Sequence, residues 1–95
     1  MKKYEIMFIV KPTLEEVSIK KAFEDMKKVL TDNNANILEE KEMGQIDLAY
    51  EIKKHKTGYY FLLTVEAPRE ATSEFNRIVN ISDTVIRALV TKIED

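Results

Sequence analysis

The sequence predicts an α+β fold, a four-stranded antiparallel sheet with two helices on one face, and three observations lead to it. The segments Lys3 to Val10, Asn36 to Ile52, Tyr59 to Ala67 and Thr84 to Ile93 read as strands, from period-two alternation and strand-forming residues. Two others, around Ile19 to Leu30 and Glu70 to Asn80, repeat apolar residues at helical spacing. The resulting order, strand, helix, strand, strand, helix, strand, is the split βαβ or ferredoxin-like arrangement, βαββαβ.

In the first strand Tyr4, Ile6, Phe8 and Val10 share one face and Glu5, Met7 and Ile9 the other. Both faces are largely apolar, which predicts a central position. Lys11-Pro12 stops the strand because Pro has no ladder donor. Thr13 with Glu16 has the form of a capping box, and Ser18 is a later candidate cap. Ile19, Ala22, Phe23, Met26, Val29 and Leu30 then mark a core-facing helix, which Asp32-Asn33-Asn34 closes.

The second strand, Asn36 to Met43, turns acidic after Ile37 and Leu38; Gly44 marks a bulge or bend, and the strand resumes from Ile46 to Ile52. So charged a strand belongs at a sheet edge. Lys53, Lys54, His55 and Lys56 follow, and Thr57-Gly58 is read as the turn into Tyr59, Tyr60 and Phe61. The lysine-rich tip suits phosphate contact, and it equally suits a solvated turn. On the third strand Tyr59, Phe61, Leu63 and Val65 are expected inward, and Pro68 ends it. Phe75, Ile78 and Val79 point inward from the second helix, and Ser82-Asp83 turns into the last strand. The first and third strands are expected at the sheet centre. The face without helices then carries Met7, Ile9, Tyr60 and Leu62, and such a face usually has a partner.

A chain of 95 residues with 44% hydrophobic and 34% charged residues is expected to form one domain over its whole length, residues 1–95. No cysteine is present, which removes disulfides, thiolate metal sites and cysteine nucleophiles and suits a reducing compartment. Glu5 interrupts an N-terminal apolar run too short for a signal sequence, and no stretch is long enough to span a bilayer, so no membrane association is expected. A net charge of -2 argues against indiscriminate coating of nucleic acid. The distribution matters more: Glu39, Glu40 and Glu42 gather in one segment and the lysines in the next turn.

Enzymatic chemistry finds no constellation here. The first strand-helix loop, Val10-Lys11-Pro12-Thr13, lacks the Gly-rich cradle that phosphate chemistry of the acylphosphatase kind would need. His55 is the single His and reads as a solvated loop residue rather than a base. Glu39, Glu40, Glu42 and Asp47 lack the spacing of a cation loop and read as an exposed edge. Lys56 to Leu62 looks superficially like the third-strand signature of RNA-recognition motifs, but the outward set offers only Tyr60, and Thr64 stands where the last aromatic would be. Neither a catalytic residue nor a metal, cofactor or small-molecule substrate is expected. One alternative from another class is a ferredoxin-like regulatory module that binds a small molecule and dimerises through its sheet.

Gly44, Leu48, Ala49, Tyr50, Ile52, Lys53, Lys54, Gly58 and Tyr59, with an opening Lys3-Tyr4-Glu5 and a closing Asp83, Val85 and Arg87, resemble the family of the sixth protein of the bacterial small (30S) ribosomal subunit. The G-x-x-x-L-A-Y-x-I-K run is its most specific element. The resemblance covers essentially the whole chain. It implies a non-enzymatic, cytoplasmic ribosomal protein with a ferredoxin-like fold. Its implied partners are ribosomal protein eighteen of the small subunit and the central domain of the 16S ribosomal RNA. On this reading Lys2, Lys3, Lys53, Lys54, Lys56, Arg87 and Lys92 are the expected RNA contacts, and Glu39, Glu40, Glu42, Ile46, Tyr60 and Leu62 the expected protein-partner contacts. Gln45, Ile46 and Asp47 depart from the family in having no positive charge just after the Gly. No contact from a C-terminal tail is expected, because the sequence ends at Asp95.

Overall fold

Alternation in the first strand does what it predicts: Tyr4, Ile6, Phe8 and Val10 are buried on one side of a strand whose other side carries Met7 and Ile9. The computed structural model describes residues 2–13 and 15–94, as β1 (Lys2–Val10), α1 (Glu16–Asp32), β2 (Asn36–Ile52), β3 (His55–Ala67), α2 (Arg69–Ile81) and β4 (Val85–Glu94). The strands form one sheet in the order β2-β3-β1-β4, every neighbour antiparallel. β1 and β3 are central and β2 is an edge, as the sequence predicts.

Register defines the two faces. Phe8 pairs with Phe61, Ile6 with Leu63 and Tyr4 with Val65, and these rows form the core with Ile19, Phe23, Met26 and Leu30 of α1 and Ala71, Phe75 and Val79 of α2. Phe8 lies 5.4 Å from Phe61, 6.1 Å from Phe23 and 6.0 Å from Phe75 between ring centroids, and Phe23 stacks on Phe61 at 4.4 Å. One ring thus touches both helices and the neighbouring strand. Burying each such ring contributes about 1.5–3 kcal/mol. Among the described residues the one buried polar side chain, Thr72, donates its hydroxyl to the Arg69 carbonyl at 2.9 Å.

Helix ends show where local signals mislead. Thr13 does not cap α1: Glu15 is the N-cap, its extended backbone accepting from Ile19 N–H at 3.0 Å, with no side-chain cap. The capping box fails because Thr13 lies too early in the chain to reach the first helical N–H groups. Ser18 lies within the helix. Glu16, expected as the reciprocal partner, instead opens the first turn, where a carboxylate favours the positive helix end. The other end closes as predicted. Asn34 takes a left-handed φ of 71°, and Ala35 N–H donates back to the Leu30 carbonyl at 3.0 Å. Ser82 Oγ accepts from the N–H groups of Thr84 and Val85 and turns the chain into β4. Among the described residues no helix is long and apolar enough to cross a membrane.

The turn between β2 and β3 lies elsewhere than predicted. Thr57 and Gly58 are inside β3, paired with Asp47 and Ile46, and the chain reverses at Lys53-Lys54. Gly58 serves close packing instead: a Cβ there would stand 2.3 Å from Ile9 Cγ2. Ile9 is β-branched and 1% exposed, so that methyl has nowhere to go. Gly44, by contrast, has a φ of +80° with open space around its Cβ position, and it marks the predicted bulge, between Glu42 and Gly44.

Gly58→Ala is expected to lower the urea-derived stability by about 1–3 kcal/mol through overpacking. That loss should shrink when Ile9→Ala supplies room, a coupling that equilibrium denaturation of the double-mutant cycle will measure.

α1 is tied to the edge strand by one cation. Lys27 Nζ lies 2.9 Å from Glu24 and 3.2 Å from Glu40, over the Phe23 ring at 4.4 Å from its centroid. Burial pulls its pKa down, but hydrogen bonds and attraction to Glu24 and Glu40 together hold it above the ordinary lysine value. A cation whose folded pKa is raised contributes stability below its unfolded pKa and loses it as pH rises through the folded one. The gap in urea midpoint between the wild type and Lys27→Met should therefore be present at neutral pH and close as pH is raised past 10.5.

Candidate RNA and protein interface

A two-residue reversal sets the geometry of the hairpin tip. Lys53 and Lys54 have φ values of 48° and 70°, and Ile52 pairs with His55 directly behind them. Positive φ at both central residues is the form that follows the right-handed twist of paired strands, and it normally recruits Asn and Gly. Lysine there costs on the order of 1 kcal/mol per residue. The strain accompanies exposed charge: Lys53, Lys54 and Lys56 all face solvent, while His55 is half-buried.

Behind the tip the β2–β3 ladder is broken. Pairing stops at Asp47–Thr57 and resumes only at Ile52–His55, so Leu48, Ala49, Tyr50 and Glu51 lie opposite Lys56 alone. The simple alternation expected for Leu48, Tyr50 and Ile52 does not continue the ladder. The extra residues lean across the helix-free face, and Leu48, Ala49, Tyr50 and Ile52 enclose a hollow with Met7, Ile9, Tyr60 and Arg87. Arg87 Nη1 donates to Tyr50 Oη at 2.7 Å. The sequence reading missed this contact, and no local signal could have found it, since the partners are joined only by strand order and a register break.

The seven expected RNA contacts fall into two groups. Lys53, Lys54, Lys56 and Arg87 lie toward one end of the sheet. Lys2 pairs opposite Ala67, Lys3 opposite Glu66 and Lys92 opposite Tyr4, at the other end. From Lys56 to Ala67 along β3 is roughly 35 Å at strand rise. A single compact phosphate cluster cannot touch both groups.

The expected partner residues divide by face. Glu39, Ile46, Tyr60 and Leu62 lie on the helix-free side, through the pairs Glu39–Thr64, Ile46–Gly58, Gly44–Tyr60 and Lys41–Leu62. Glu40 and Glu42 pair with Leu63 and Phe61 and so point to the helix side. Glu40 is held by Lys27, and Glu42 borders a notch with Glu16, Lys20 and Tyr59. The acidic run is therefore not one continuous surface. The helix-free face carries Met7, Tyr60 and Leu62 half-buried, as expected, but Ile9 is covered at 1% exposure beneath the residues that lean over from β2; Leu89 of β4 adds a side chain that is 50% exposed opposite Met7.

Comparison with known proteins bears on the whole chain. The family model described as ribosomal protein S6 matches residues 3–92. The small ribosomal subunit protein bS6 of Shouchella clausii is 55% identical over 94 residues, covering 99% of each chain. The protein of the same name from Halalkalibacterium halodurans is 50% identical over 95 residues, covering 100% of each. A crystal structure of 30S ribosomal protein S6 from Thermotoga maritima superposes with a TM-score of 0.92 at 26% identity, over 97% of this chain and 87% of that one. Sheet order, helix placement and sequence agree, and the chain belongs to the ribosomal protein S6 family.

Proposed function

We propose that this protein of the small ribosomal subunit binds the central domain of the 16S ribosomal RNA together with ribosomal protein eighteen, without enzymatic activity. The observation that carries the RNA reading is the hairpin tip. It presents Lys53, Lys54 and Lys56 to solvent, the first two on a backbone that favours other residues, and strained backbone gathers at functional sites. Arg87 stands toward the same end of the sheet and supplies a planar guanidinium suited to a phosphate. Lys2, Lys3 and Lys92 would reach a second, separate stretch of RNA backbone, given their distance from the tip.

For the protein partner, Glu39, Ile46, Tyr60 and Leu62 offer one mixed surface on the helix-free face, where apolar side chains border an acidic one. A basic companion would fit such a surface. Glu40 contributes less, because Lys27 already neutralises it. Glu42 would join only if the partner wraps the β2 edge. The family assignment favours this reading over a metabolite-binding regulatory module.

In the presence of ribosomal protein eighteen, Lys54→Ala with Lys56→Ala should reduce the slope of log affinity for central-domain RNA against log salt by about two units. An unchanged slope and unchanged assembly would reduce the tip to a turn. Independently, amide exchange across Glu39 to Ile46 is expected to slow when the companion protein is added without RNA. Exchange that stays the same there would remove the edge from the interface.

A further inference from the structure

We propose that Tyr50 is a positioning residue, whose hydroxyl holds the Arg87 guanidinium and the lysine tip in one fixed relation for phosphate contact. The inference rests on the assignment of Arg87 and the tip to RNA. Its starting point is the contact itself, Arg87 Nη1 to Tyr50 Oη at 2.7 Å, between residues whose strands are separated by two others. β2 and β4 are about 14 Å apart at ordinary strand spacing. Only the unpaired residues Leu48 to Glu51 let the tyrosine lean far enough to close that gap.

Tyr50 is not a core anchor. Its side chain is 63% exposed, so little apolar surface is gained by bringing it across the sheet. What the contact supplies is geometry at a place where geometry is otherwise weakly determined. Ahead of the tip the ladder is interrupted, and beyond the interruption only Ile52–His55 pairs the strands. Leu48 and Ile52 add only non-directional apolar cover over Met7 and Ile9, so the hydrogen bond to β4 is the directional attachment of the hairpin across the sheet.

The chemical type of the acceptor matters as well. A carboxylate would grip Arg87 more firmly but would cancel its charge and weaken its attraction for a phosphate. A phenol hydroxyl accepts one N–H and leaves the other guanidinium donors available. It also spans from the lysine-bearing hairpin to another cation, a juxtaposition that like-charge repulsion would otherwise loosen. Ordering the cations before RNA arrives lowers the conformational entropy lost on binding.

The test uses the full chain, ribosomal protein eighteen and a central-domain RNA fragment, with affinities measured across a salt series. Arg87→Ala should reduce the salt slope by about one unit. Tyr50→Phe should leave the slope unchanged and weaken binding by about five- to tenfold. The double variant should bind no more weakly than Arg87→Ala alone. In the free protein, nitrogen NMR of the arginine side chain should show Arg87 rotating faster in Tyr50→Phe, with an unchanged urea midpoint. Wild-type affinity in Tyr50→Phe, beside a weakened Arg87→Ala, overturns the positioning role and leaves the RNA assignment standing. Equal losses from Tyr50→Phe in both backgrounds overturn it too, because the tyrosine would then act without Arg87. If Arg87→Ala binds like the wild type, the assignment of Arg87 to RNA fails, and the role of Tyr50 falls with it.

Discussion

Everything in this structure depends on the seating of Phe8 among three other rings. It meets Phe61 from the neighbouring strand, Phe23 from α1 and Phe75 from α2, so one side chain locks both helices to the two central strands. Strand periodicity then leaves no freedom for its neighbours: with Phe8 turned to the helices, Met7 and Ile9 must turn away. The helix-free face is thus a consequence of the core. A slip of β1 by one residue would bury Glu5 in place of Ile6 and expose the phenylalanine. The helix-free face and the core are specified by the same alternation.

That coupling explains which features are legible in the sequence. Central strands carry a buried face made by consecutive alternate residues, so the parity of Tyr4, Ile6, Phe8 and of Tyr59, Phe61, Leu63 is readable without any partner. The edge position of β2 follows from Glu39, Lys41 and Glu42, which no central strand would tolerate. Features that depend on contacts between distant segments are not legible in this way. Gly58 resembles a turn glycine because chain reversal and close approach both favour Gly. Only the position of Ile9, on the adjacent strand β1, tells them apart. Thr13 and Glu16 have the spacing of a cap, but the helix starts where its apolar face meets the sheet, and that point lies after Thr13. Similarly Glu40 reads as a solvent-facing charge until α1 is docked and Lys27 arrives beside it.

Charge follows the same division. The chain is close to neutral overall, at -2, and that figure conceals an arrangement set by strand direction. Antiparallel pairing carries Lys53, Lys54 and Lys56 to the opposite end of the sheet from Lys2, Lys3 and Lys92, although both groups appear in the sequence simply as cationic positions. Pleating separates Glu39 from Glu40 and Glu42 in the same manner. A linear reading finds the charged residues correctly and cannot assign them to faces where bulges shift the parity, as they do at Leu38 and Met43.

At the tip, local preference yields to placement in a consistent direction. Lys53 and Lys54 occupy positions that Asn and Gly would fill with less strain, and the adjoining strand gives up ladder hydrogen bonds across Leu48 to Glu51. Both departures cost backbone energy, although Leu48 and Ile52 of the second stretch are half-buried where they lean over Met7 and Ile9. Each becomes intelligible as part of one construction. The reversal at two lysines keeps the tip short, so that its charges cannot wander on a long loop, and the released backbone carries Tyr50 over the sheet to β4. A regular hairpin with Asn-Gly at its end would be more stable, but it would carry fewer cations and have no second attachment to the sheet.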